Sequence, residues 1–75
     1  MKIENPFTKG TSAYQNFDSG IQFNKDFGLE ELQRKLKAVQ QKADNWMNLS
    51  LSQRDSYDQE ITMLKSLIEH KNSAA

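Results

Sequence analysis

Cysteine is missing from this 75-residue chain. Neither a disulfide nor a thiolate metal site can supplement a small core, and the lack of thiols leaves the redox compartment open. Proline and glycine are scarce: Pro6, Gly10, Gly20 and Gly28 are all there are, and all fall in residues 1–28. Net charge is absent too, because ten basic and ten acidic residues cancel. That balance removes the uniform attraction expected of a protein that coats DNA, RNA or an anionic membrane. No apolar run approaches the roughly 20 residues of a membrane span. Residues 1–6 carry no hydrophobic block, so no signal peptide is expected, and the setting stays open between the cytoplasm and an assembled particle.

Catalytic chemistry is equally thin. His70 is the only histidine, and it lies where a helix C-terminus would favour a surface imidazole. Asp55, Asp58 and Glu60 lack the alternating oxygen ligands and glycine of a calcium loop, and fit a charged helix start instead. Ser50, Ser52 and Ser56 have no nearby histidine base. Gly10, Gly20 and Gly28 do not form a phosphate-cradling loop. The expectation is a non-enzymatic protein with no cofactor and no metal.

What the chain does have is helical periodicity. Leu29, Leu32, Leu36, Val39, Ala43 and Trp46 recur at steps of 3-4-3-4-3, and Tyr57, Ile61, Leu64 and Ile68 at 4-3-4. Each set falls on one face of a 3.6-residue helix. The spacing predicts helices over 29–47 and 51–71, with 72–75 as a tail. Asp26 is a candidate N-cap for the first, and Glu30 and Glu31 complement its dipole. Glu30–Arg34 and Glu31–Lys35 are favourably ordered i,i+4 pairs. Asn48 suits a left-handed C-cap. Ser50-x-x-Gln53 and Ser52-x-x-Asp55 both match a capping box for the second helix. Matched lengths and a short turn favour an antiparallel helical hairpin over residues 29–71.

Residues 1–28 read differently. They are polar and rich in breakers, yet hold Phe7, Tyr14, Phe17, Phe23 and Phe27, five of the seven aromatic residues. Disordered tails are poor in aromatics, so this arm is expected to dock, on its own helices or on a neighbouring chain. Pro6 directs Asn5 toward extended backbone. Around Asp18-Ser19-Gly20 the pattern suits a short β-hairpin with a glycine bulge; a short helical lead-in over 21–27 is the competing reading. Extended or irregular structure is favoured. The fold class expected is thus all-α, a two-helix hairpin with an extended or irregular N-terminal arm.

Leu51, Met63 and Leu67 fall beside the Tyr57–Ile68 stripe and widen it, which implies a second surface to cover. A chain of this size buries only about 60% of its unfolded surface, so partners or further packing are expected. Trp46, near the predicted turn, reads as a core plug or an interface anchor. Arg34, Lys35, Lys37 and Lys42 make the one basic cluster, diluted by Glu30, Glu31 and Asp44, so nucleic acid is not the expected partner.

Phe17-Asp18-Ser19-Gly20 resembles the Phe-Asp-x-Gly near the start of some type III secretion needle subunits. A polar arm before a helical hairpin is similar in outline to those subunits and to their small co-chaperones. Two features depart from that pattern: Asn48-Leu49-Ser50 stands where an Asn-Pro turn is usual, and residues 70–75 replace an apolar tail. Small structural proteins of phage particles share the same general design. The resemblance implies an assembly role and no activity. The leading expectation is a structural protein of the secretion-apparatus or phage-particle type, a homo-oligomer or a subunit of a larger assembly. Its protein contacts would use Phe7, Tyr14, Phe17, Phe23, Phe27, Trp46, Leu51, Met63 and Leu67. The alternative is a small regulator, inhibitor or co-chaperone that binds one protein partner.

Overall fold

Thr11 starts the first helix. Its backbone is extended and its hydroxyl accepts the Tyr14 N–H at 3.2 Å while donating to the Thr8 carbonyl. In a computed structural model, which describes residues 3–74 and the side chains of all these except Trp46 and Ala74, this cap opens α1, Ser12–Asn24. Two more helices follow: α2, Leu29–Ala43, and α3, Leu51–Ala74, with a single 3-10 turn at Trp46–Asn48 between them.

The two-helix expectation is therefore corrected to three helices, and no strand occurs among the described residues. Asp18-Ser19-Gly20, read from sequence as a hairpin loop, lies inside α1. The reason is tertiary. Tyr14, Phe17 and Ile21 recur at steps of 3-4 and share one helix face. Phe17 is buried, and Tyr14 and Ile21 are half-buried. Packing of that face outweighs the roughly 0.5–1 kcal/mol that glycine costs in a helix interior.

The packing also explains the wide stripe on α3. At 3.6 residues per turn, Met63 and Leu67 lie about a third of a turn from the Tyr57, Ile61, Leu64, Ile68 face. Both α1 and α2 pack against α3. One buried cluster joins Phe17 of α1, Leu32 and Val39 of α2, and Met63, Leu64 and Leu67 of α3. At Gly20 an ideal Cβ would stand 3.0 Å from the Met63 Cε, so the missing side chain sets how closely α1 approaches α3.

The segment ahead of α1 is irregular but anchored. Asn5 Oδ1 accepts the Phe7 N–H at 3.0 Å across Pro6, and its Nδ2 donates to the Tyr14 carbonyl at 2.9 Å and to Asp18 Oδ1 at 3.1 Å. Phe7 meets Phe17 edge-on, with centroids 6.0 Å apart. Gly10, at φ 92°, takes the positive φ that the third position of a type II turn requires, and Thr11 N–H closes that turn on Thr8.

Other local expectations also shift. Gly28, not Asp26, is the N-cap of α2, and it offers no side-chain bond. Asn48 does not take a left-handed conformation, since no described residue other than Gly10 has positive φ. Instead, the end of α2 tightens into the 3-10 turn, with Asn45 N–H on Lys42 and Asn48 N–H on Asn45. Ser50 and Gln53 form the reciprocal capping box that opens α3, at 3.0 and 3.2 Å.

Candidate protein-docking site

The close approach at Gly20 leaves a groove beside it. α1 contributes Asn16, Ser19, Gly20, Phe23 and Asn24, and α3 contributes Ser56, Gln59, Glu60 and Met63; together they line about 460 Å³. Met63 and Gly20 bring α3 and α1 together, Phe23 stands at one wall with 73% of its surface exposed, and exposed Asn16, Ser19, Ser56 and Glu60 supply polar edges. Asn16 Nδ2 bridges to Gln59 Oε1 at 3.1 Å and ties the walls together.

One wall is fixed by a polar node. Asn24 is only 6% exposed. Its Nδ2 donates to the Gly20 carbonyl at 2.8 Å and approaches the Met63 sulfur at 3.9 Å, while its Oδ1 accepts from Lys35 Nζ at 2.9 Å. A buried amide is tolerable only when paired in this way. Lys35 thus turns away from the expected helix pairing with Glu31. Its ammonium sits 4.0 Å from the Phe27 centroid and 5.4 Å from that of Phe23, within cation–π range. This lysine, which sequence placed in a basic cluster, is held inside the molecule's own framework.

A second apolar feature lies at the turn between α2 and α3. Met47 is 78% exposed and Leu51 79%. Exposed Lys42 and Asp44 flank this tip on the α2 side.

The candidate contact residues thus divide. Phe17, Met63 and Leu67 are buried in the core. Phe7 and Phe27 are half-buried against it, and Tyr14 is half-buried on α1. Phe23 and Leu51 are exposed. The Trp46 side chain lies outside the described part of the structure. Sequence reading missed Met47, Gly20 and Asn24. Met47 carried a signal in its place beside a turn asparagine. Gly20 carried one in standing next to Ile21 on a face spaced for a helix.

Among the described residues, no group of three or more His, Asp or Glu side chains is placed to hold a metal ion, and no helix is long and apolar enough to cross a membrane. A groove with an apolar wall and polar edges, one of them the Glu60 carboxylate, can seat an apolar side chain and hydrogen-bond the backbone around it. Comparison of this chain with family models, curated proteins and solved structures finds no match.

Proposed function

We propose that this small helical protein is a non-enzymatic assembly component that makes protein–protein contacts through the α1–α3 groove and the apolar tip of the α2–α3 turn. The observation that carries the reading is the placement of Phe23, Met47 and Leu51, each more than 70% exposed, against six buried hydrophobic residues among those described. Isolated exposed apolar residues are ordinary, but an exposed aromatic at the wall of a groove and two large aliphatics at one turn are features of contact surfaces. The balanced charge adds to this, since copies or neutral partners meet no net repulsion. Secretion-apparatus and phage-particle components are the class of assembly this design suits.

A specific observation favours a second reading. The α1 segment covers the wide face of α3 within one chain, so no second copy is needed to complete the core. A monomeric regulator or co-chaperone that binds one protein in 1:1 ratio fits that arrangement. Phe23→Asp separates contact from folding, because Phe23 is largely exposed. The assembly reading expects this variant to keep its helical circular dichroism spectrum and lose association, with itself or with a partner retained from native extract. Unchanged association in both assays would overturn it.

A further inference from the structure

We propose that residues 3–24 form a strap that lifts off the α2–α3 pair as one unit, hinged at residues 25–28 and clasped shut by Lys35. The opening does not depend on which protein the exposed residues contact.

The strap holds together by itself. Asn5 Nδ2 donates to the Tyr14 carbonyl at 2.9 Å and to Asp18 Oδ1 at 3.1 Å, and Phe7 packs edge-on against Phe17. The segment ahead of α1 is thus tied to α1 and moves with it. The α2–α3 pair is equally self-contained. It supplies five of the six buried hydrophobic residues among those described, Leu32, Val39, Met63, Leu64 and Leu67, and the strap supplies Phe17. Ile3, Phe7 and Ile21 of the strap add partial burial against that cluster.

Polar ties near the surface join the two units. The bond from Asn16 to Gln59 is exposed, as is the 2.9 Å bond from Lys71 Nζ to the Lys25 carbonyl. Lys35 is better placed. It is half-buried, donates to Asn24 Oδ1 at 2.9 Å and lies over the rings of both Phe23 and Phe27. One cation of α2 therefore grips the last turn of α1 and the link that follows. Such charge-assisted bonds are roughly twice as strong as neutral ones. The link itself resists little. Gly28 makes no side-chain bond, and a Cβ built on it would have nothing within 4 Å.

Lifting changes what the protein shows to solvent. It uncovers Phe17 and the Met63 side chain that Gly20 packs against. Elements that move in binding come from the least stable part of a fold, and the strap is that part here. Its release sets how much apolar surface is displayed. Lifting also leaves α1 unsupported. A helix of 13 residues is marginal alone, so α1 melts as the strap lifts and its amide protons exchange.

Amide hydrogen exchange of the full chain, read residue by residue by NMR, tests this. Amides of residues 17–24 should share one rate, at least tenfold faster than those of Val39 and Leu64. Ser50→Ala, at the far turn, weakens the α2–α3 pair and not the strap's hold on it. It should speed Val39 and Leu64 about fivefold and leave α1 unchanged. Lys35→Met keeps the apolar stem and removes the charge, and should speed α1 about tenfold. If α1 exchanges no faster than Val39 and Leu64 and follows them in Ser50→Ala, the chain opens only as a whole and the proposal is overturned. An unchanged α1 rate in Lys35→Met would remove the clasp. Rates graded along α1 from one end would mean fraying in place of a lifting unit, and would overturn the proposal as well.

Discussion

Replacing Asn24 by alanine would strand two partners at once. The Lys35 ammonium loses its acceptor and the Gly20 carbonyl its side-chain donor, at a place only 6% exposed. A charge-assisted bond in partial burial supports an expected loss of about 1–3 kcal/mol, read from urea unfolding. Asn16→Ala removes only an exposed bridge to Gln59 and should cost no more than about 0.5 kcal/mol. Gly20 gives a second test at this scale. Alanine there gains helix propensity, about 0.5–1 kcal/mol, but its Cβ would meet Met63, itself buried, at 3.0 Å. Overpacking wins, and Gly20→Ala should lose about 1 kcal/mol net. In a Met63→Ala background the clash disappears and the same change should stabilise, so a double-mutant cycle should show coupling of about 1–2 kcal/mol. Additive effects would contradict the close approach of α1 and α3.

Among the elements, α3 depends most on how it begins. Ser50 and Gln53 satisfy each other's backbone N–H groups at its first turn. Ser50→Ala should therefore lower stability by about 1 kcal/mol, whereas Ser52→Ala, inside the helix and exposed, should change it by a few tenths. Thermal unfolding of the two variants side by side checks the assignment. The all-α class was legible in the sequence because the 3-4 spacing of apolar residues from 29 onward is uninterrupted by glycine or proline. The third helix was not. Tyr14, Phe17 and Ile21 held the same spacing, but Asp18-Ser19-Gly20 has strong local turn chemistry, and only the neighbouring Met63 explains why a glycine sits in mid-helix. The candidate contact residues were legible as anchors but not as inward or outward. Phe17 and Phe23 are alike in sequence, and whether α1 turned one into the buried cluster and left the other in solvent depended on how α1 folds.

At the scale of the molecule, the chain is flattened, 38 × 30 × 17 Å. Three helices in so thin a body cannot all be covered on every side. The face that α1 gives to α3 closes the core, and the edge between them stays open as the groove. The wide stripe on α3 is consequently shared between α1 and α2, which leaves Phe23, Met47 and Leu51 as the large exposed apolar side chains among the described residues, the surface that the proposed contacts would use. This makes association, not folding, the property that separates the account from a plain monomeric helical domain. Sedimentation of the full chain over a wide range of concentration, with Phe23→Asp run beside it, measures that property directly. The account predicts a mass that climbs above the single-chain 8.7 kDa as concentration rises, and a Phe23→Asp variant that stays at one chain. A single-chain mass for both proteins at every concentration, with no partner retained from native extract through Phe23, would contradict it.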